Sequence, residues 1–322
     1  MTFRLVGLKV LGALATLAFV VVFNFFLFRV VDTDPVASLF RGRNLTAQQK
    51  VELRSQFGLD GTKLEQFGRY LQQTANLNFG RSYTSNEPVM KEIASRAWPT
   101  IALVGVSTLL STIFGVLIGI AAAWKRGSAT DYTSTGLTMA TYAMPDFWLG
   151  MLLLTALAVS LGLFPVGGIS DPSSDATGLA KLLDQAHHMF LPALTLTVAY
   201  LGEYALVMRS SLLETMREDY LTLARAKGLR DVVVRNHHAV PNAILPVVTL
   251  IAINFGFVLS GAIAVETIFS WPGLGLLTYD ALRGPDLPLL QGLFLVFSAS
   301  VIFFNLLADL LYVYLDPRVR TG

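Results

Sequence analysis

Few side chains in this sequence stand where they could carry covalent or metal chemistry. There is no cysteine, which removes thiolate nucleophiles, thiolate metal sites and disulfides. The four histidines form two adjacent pairs, His187-His188 and His237-His238. Neighbours on a helix do not face each other well enough to share a metal ion, so ordinary hydrogen bonding is their expected use. No G-x-x-x-x-G-K-[ST], H-E-x-x-H or G-x-S-x-G occurs, so no phosphate loop, zinc-protease helix or nucleophile elbow is expected. Glu203 and Asp309 lie inside apolar stretches. An ionisable group in a membrane helix is a functional candidate, here for an ion or proton relay. The structural alternatives are pairing of Glu203 with Arg209 or packing at a subunit seam, and pairing of Asp309 near the cytoplasmic interface.

These groups must be positioned by an unusually apolar chain. Of its 322 residues 53% are hydrophobic and only 14% charged, against about 25% charged in soluble domains. The mean hydropathy is +0.57. Both values define a membrane protein. The net charge of +2 implies no nucleic-acid partner, because the cations gather at loops. Spanning takes roughly 20 mostly apolar residues. Six segments qualify: Leu8–Phe28, Thr100–Trp124, Gly136–Leu161, Phe190–Met208, Ile244–Val265 and Leu289–Val313. The first has a longer apolar run than a secretory signal, and no small-x-small cleavage site follows Phe28, so it is expected to be retained.

Loop charge sets the orientation. Arg4, Lys9, Lys125, Arg126, the basic loop after the fourth span, Arg318 and Arg320 fall on one side, and short loops on the other carry only Lys181 and Arg283. Both termini are therefore expected in the cytoplasm. Residues 31–98 then form an extracytoplasmic insertion. Thr46 is expected to cap one helix that Gly58 ends. Leu64, Phe67, Tyr70 and Leu71 recur at helical spacing and predict a second, amphipathic helix.

Four stretches stand out within this frame. Gly115 and Gly119 make a G-x-x-x-G pair that lets helices approach closely. Pro145, within Met144–Gly150, removes a backbone donor and bends the third span. After the fifth span, Trp271 suits an interface, while Pro272, Gly273 and Gly275 forbid simple continuation of the helix. A turn dipping toward a pore is expected there, with positive φ at Gly273. The fourth stretch, Asp219–Pro246, is a long polar break between two apolar segments. Asp219 is the expected N-cap of a short helix beginning near Tyr220, and Gly228 its stop. Ala224, Ala226 and Gly228 are expected to form a bare surface that another protein can approach.

This stretch resembles the cytoplasmic "EAA" loop of ABC importer permeases, in the form found in the dipeptide/oligopeptide/nickel permease family. Asp219-Tyr220, Ala224 to Leu229, His238-Ala239, Pro241 to Ala243 and Leu245-Pro246 carry the likeness, although Thr222 holds the usual glutamate position and His238 the isoleucine position. Glu266 to Gly275 resembles the family's E-T-x-F-x-W-P-G-L-G motif. Ala143 to Gly150 is similar to S-x-P-x-F-W-x-G, with Ala143 in place of serine. Phe79–Tyr83, Pro88–Ile93 and the ending from Asn305 through Asp309, Tyr312 and Asp316 to Arg318 are also similar. Asp32-Thr33-Asp34-Pro35 departs from the usual P-G-D-P.

The resemblance implies an all-α polytopic protein with six transmembrane helices and a type I ABC importer permease fold. Its parts are a first transmembrane helix over 1–30, the insertion over 31–98, a five-helix core over 99–315 with a coupling loop at 209–243, and a cytoplasmic tail over 316–322. Asp219, Tyr220, Ala224, Arg225, Ala226, Lys227 and Gly228 would couple to an ATPase. Pro145, Phe147, Trp148, Glu266, Trp271, Pro272 and Gly273 would line the gate or path. Expected partners are a second permease, one or two ATPase subunits holding ATP and Mg, an extracytoplasmic binding protein and the lipids of a bacterial inner membrane. The chain itself would be a non-catalytic pore half without a cofactor, moving peptides or a related solute. The alternative is an ion- or proton-coupled secondary transporter using Glu203 or Asp309. Such a protein has no need for a small-residue docking helix, and no inverted repeat is visible.

Overall fold

The computed structural model describes residues 3–31, 48, 60–175, 177–258, 262–284 and 286–315. In chain order the helices are α1 (Phe3–Phe25, continued by a π turn Phe26–Val31), α2 (Lys63–Ala75), α3 (Val89–Trp124), α4 (Ala129–Ala143), α5 (Asp146–Leu153, continued by a π turn Leu154–Ser160) and α6 (Gly178–Thr215). There follow α7 (Asp219–Ala226), α8 (Asp231–Ala243, with a π stretch at Val234–Ala239), α9 (Leu245–Val258), α10 (Ile263–Ile268), α11 (Leu274–Arg283) and α12 (Leu287–Leu315). Among the described residues the only β pairing is an isolated bridge between Arg81 and Pro88.

Four helices, α1, α3, α6 and α12, are long and apolar enough to cross a membrane whole. Two bent pairs, α4 with α5 at 98° and α8 with α9 at 44°, are long and apolar enough to cross when each pair is taken together. The expected continuous span Gly136–Leu161 is thus two helices. A residue before proline is pushed out of the α region, and Met144 lies at φ −78, ψ 129. Proline at the first turn costs far less, since that N–H would be unpaired anyway, so Pro246 does not stop α9. Helix α3 starts eleven residues before the expected Thr100, running through Pro99, so the expected boundary at residue 98 falls inside a helix. Helix α6 has 38 residues; its length of about 57 Å far exceeds a hydrocarbon core of about 30 Å.

Lipid tails are as apolar as leucine, so close packing and hydrogen bonds hold such a bundle together. Helices α3 and α6 meet where side chains are absent. A Cβ added at Gly115 would lie 2.7 Å from the Tyr204 Cβ, and one at Gly119 would lie 2.6 Å from the Ala205 carbonyl oxygen. The G-x-x-x-G spacing therefore marks a helix contact. One apolar cluster joins Leu103, Leu191, Leu196, Val265, Phe269 and Trp271. A second joins Tyr204, Met208, Leu212, Leu221, Val234 and Val247. Helix α1 lies along α12, linked by Asn24 Nδ2 to the Gln291 carbonyl at 3.1 Å and by Lys9 to Asp309 at 2.8 Å.

In the insertion, α2 begins with a capping box. The Thr62 hydroxyl accepts from the Glu65 N–H, and the Glu65 carboxylate accepts from the Thr62 N–H. Its buried side is narrower than the expected four-residue face. Tyr70 is buried and donates to the Val21 carbonyl at 3.1 Å, and Phe67 packs on Phe25 with ring centroids 5.0 Å apart, but Leu64 and Leu71 are exposed. The expected helix from Thr46 to Gly58, the Asp32–Pro35 turn and the tail 316–322 lie outside the described residues.

Candidate functional site

The loop between α6 and α9 is built around α7. Its N-cap is Glu218, which makes no side-chain cap bond, and Asp219 is the first helical residue. The sequence expectation of Asp219 as cap is corrected by one position; an acid in the first turn still suits the positive end of the helix dipole. Gly228 stops the helix at φ +77, a conformation that favours glycine. Leu221 and Ala224 turn inward onto the second apolar cluster, while Thr222, Leu223, Arg225, Ala226, Lys227 and Gly228 are exposed. The expected common surface of Ala224, Ala226 and Gly228 is therefore divided: Ala224 anchors the helix, and the other two face outward.

Two knots of polar side chains fix this helix. The Tyr220 hydroxyl accepts from Asn242 Nδ2 at 3.0 Å and donates to the His238 carbonyl at 3.3 Å. At the other end, the Trp124 indole N–H donates to Asp231 Oδ2 at 2.7 Å. The Arg225 guanidinium stands 5.8 Å from the centre of the Trp124 ring and 3.9 Å from Asp231 Oδ1.

On the opposite side of the bundle, α10 and α11 are joined by a tight turn through Trp271, Pro272 and Gly273. Glu266 has no solvent exposure. Its Oε2 accepts from the N–H groups of Gly275 at 2.7 Å and Leu276 at 3.1 Å, so the carboxylate caps α11. Its Oε1 accepts from the Thr100 hydroxyl at 2.9 Å, and the same hydroxyl oxygen accepts from the Leu274 N–H at 2.7 Å. The Trp271 indole donates to the Pro99 carbonyl at 3.0 Å. Gly273 lies at φ −103, ψ −170, so the expected positive φ is absent there and falls on Ser270 instead, at φ 47. Glycine is required at 273 for space: a Cβ would collide with the Glu266 carboxylate and the Thr100 hydroxyl.

The bend between α4 and α5 leans on this turn. Pro145 is the N-cap residue of α5, and a Cβ on Gly150 would touch Phe269 and Thr195 at 3.4 Å. Phe147 and Trp148 remain exposed on the isolated chain. The two motifs that the sequence separates by more than a hundred residues are thus in contact through Gly150 and Phe269.

The intramembrane charges are arranged differently from the expectation. Arg209 does not pair with Glu203; it binds Asp131 with two bonds, Nε to Oδ1 at 2.8 Å and Nη2 to Oδ2 at 3.1 Å. Asp131 also accepts from the Gly127 N–H and the Thr135 hydroxyl. Glu203 is reached by Asn254 at 3.5 Å. Asp309 is paired with Lys9 at 2.8 Å. His187 and His188 bond to the Leu163 carbonyl and to Asp184, and among the described residues no group of three or more metal-ligating side chains forms. Thr100, Trp124, Asp131 and Asp231 were not singled out by sequence. No local pattern marks them, because each partner is remote in the chain.

Residues 2–104 match the N-terminal model, and residues 115–321 the main model, of the binding-protein-dependent transport system inner membrane component family. The chain is 38% identical over 308 residues to the dipeptide transport system permease protein DppB of Escherichia coli (strain K12), covering 90% of this chain and 91% of that one. It is 38% identical over 312 residues to the glutathione transport system permease protein GsiC of Salmonella paratyphi A, covering 97% of both. A solved chain of the MetNI methionine ABC transporter, in inward-facing conformations, has the same fold at TM-score 0.57 and 16% identity, covering 71% of this chain and 99% of that chain.

A bundle of apolar helices carrying a short helix on the loop after α6, with this fold, defines the class of type I ABC importer permeases. The chain belongs to the binding-protein-dependent transport system inner membrane component family and is a permease subunit of the dipeptide/oligopeptide/nickel type. It is a multi-pass membrane protein that works with other components of an ABC importer.

Proposed function

We propose that this chain forms one half of the path by which an ATP-driven importer moves peptides across a bacterial inner membrane by alternating access. The names of DppB and GsiC support a small peptide as cargo. The observation that carries the mechanism is α7, anchored inward by Leu221 and Ala224 while Thr222, Leu223 and Ala226 stay exposed to a partner. In this reading Asp219, Tyr220, Ala224, Arg225, Ala226, Lys227 and Gly228 hold and present the docking helix to an ATPase, on which ATP and Mg reside. The turn of Glu266, Trp271, Pro272 and Gly273, with the bend at Pro145, Phe147 and Trp148, forms the outer gate. A second, similar permease faces this one, an extracytoplasmic binding protein delivers cargo, and both termini lie in the cytoplasm. The chain itself performs no catalysis. Exposed apolar side chains along α1, among them Leu11, Leu14 and Phe19, meet lipid.

The test is uptake of a radiolabelled dipeptide by proteoliposomes holding the permease pair and the ATPases, with binding protein outside. Uptake is expected to require ATP inside, to stop with vanadate and to survive a protonophore. Uptake abolished by the protonophore and indifferent to vanadate would replace this reading by the ion-coupled one.

A further inference from the structure

Helix α3 is bonded by side chains to both candidate sites. At its inner end Trp124 holds Asp231, and Arg225 of α7 lies over the Trp124 ring. At the outer end of its Thr100–Trp124 stretch the Pro99 carbonyl holds the Trp271 indole, and the Thr100 hydroxyl holds both Glu266 and the Leu274 N–H. Among the described residues no other helix makes side-chain hydrogen bonds to both segments. Helix α6 passes close to both, but it meets them through apolar contacts.

The stretch between these ends suits transmission. From Thr100 to Trp124 there is no proline, and at 1.5 Å per residue the stretch is about 36 Å long. An intact helix resists changes in length, because stretching it breaks its backbone hydrogen bonds. Gly115 and Gly119 pack it against the backbone of α6, so it shifts along a defined surface. Shifts of packed helices by about 1–2 Å are a known form of switching.

We propose that α3 is the rod joining the coupling loop to the outer turn, with Asp231 and Thr100 as the positioning residues at its two ends. This rests on the reading of those segments as coupling loop and gate. A displacement of α7 pulls on Trp124 through Asp231 and Arg225. The rod carries it to Thr100, whose hydroxyl sits between the Glu266 carboxylate and the start of α11, and the turn at Trp271 moves with it.

The test uses the assembled complex with its ATPases and second permease. Ser270 is exposed beside Trp271, and this chain has no native thiol, so S270C reports on the turn once any cysteines of the partner chains are replaced. A membrane-impermeant maleimide measures its accessibility without nucleotide and after trapping with ATP and vanadate. In S270C alone, trapping is expected to change the labelling rate roughly 5-fold or more, the low end of ordinary allosteric coupling. Adding Asp231→Ala or Thr100→Val is expected to reduce that change below about twofold while the ATPases remain bound and hydrolyse ATP. Asp231→Asn keeps an acceptor for the indole, and Thr100→Ser keeps the hydroxyl, so both are expected to restore the response. The double variant Asp231→Ala with Thr100→Val is expected to be no worse than the weaker single one, because one link can be broken only once.

A full response in both single variants, or effects that add in the double, overturns the rod. Loss of the bound ATPases in Asp231→Ala overturns it too, since Asp231 would then be a docking residue. A reporter that ignores nucleotide in S270C alone refutes the outer-gate reading, and with it this proposal, and is distinguished by needing no second substitution.

Discussion

Thr100 and Glu266 are 166 residues apart in the chain and joined by a hydrogen bond of 2.9 Å, with neither residue exposed to solvent. The hydroxyl donates to one carboxylate oxygen while two backbone N–H groups donate to the other. The turn through Trp271 is therefore closed around a single acidic side chain.

Replacing Glu266 by Gln tests that closure. An amide presents two donors where the carboxylate presents acceptors, so at least one buried donor on Thr100, Gly275 or Leu276 loses its partner. Such a loss costs about 1–3 kcal/mol. The Glu266→Gln chain is expected to unfold at lower temperature in detergent and to transport poorly. An unchanged melting curve together with native uptake would contradict the role assigned to Glu266.

Gly273 separates two explanations for a glycine in a turn. Its backbone is accessible to any residue, so only space excludes a side chain. Gly273→Ala is therefore expected to be as damaging to uptake as Gly273→Val, both measured at equal membrane abundance. If alanine is tolerated and only valine fails, the Cβ collision with Glu266 and Thr100 is not what selects glycine.

Gly228 presents the opposite case. A Cβ there meets nothing within 4 Å in this chain, but the φ of +77 disfavours side chains. Asparagine enters this region more readily than most residues. If conformation alone matters, Gly228→Asn should bind ATPases nearly as well as the native chain, and Gly228→Ala less well. If a partner packs on the bare glycine, Asn and Ala should both weaken copurification, and Gly228→Arg should abolish it. The order of the three variants in a pull-down decides between them.

The proposed orientation is checked by topology reporters. An enzyme active only outside the cytoplasm should be active when inserted near Gly61 and silent near Arg230. The reverse pattern would invert the whole arrangement, including the assignment of inner and outer sites.

Local features were readable before the structure. Gly115 and Gly119 lie one helical turn apart, so spacing alone puts them on one face, and Gly228 follows a short helix as a stop. Proline at 145 announced a break but not its 98° angle, nor the packing of Gly150 beside Phe269. The two faces of α7 were not legible, because Leu221, Leu223, Ala224 and Ala226 give an eight-residue helix apolar residues on several sides. Nor were Thr100, Trp124, Asp131 and Asp231, whose partners are set by tertiary packing. A threonine at the start of an apolar run carries no sign of a glutamate far along the chain.

The pairing of α1 with α12 has a consequence for how the protein is made. Lys9 precedes its partner Asp309 by 300 residues. At roughly 5–20 residues per second of synthesis, that interval is about 15–60 s. Throughout it α1 has no α12 to receive the Asn24 amide or neutralise the Lys9 ammonium. Helix α1 is thus placed late relative to its own synthesis, and it needs lipid or an insertion factor as a temporary companion until α12 follows.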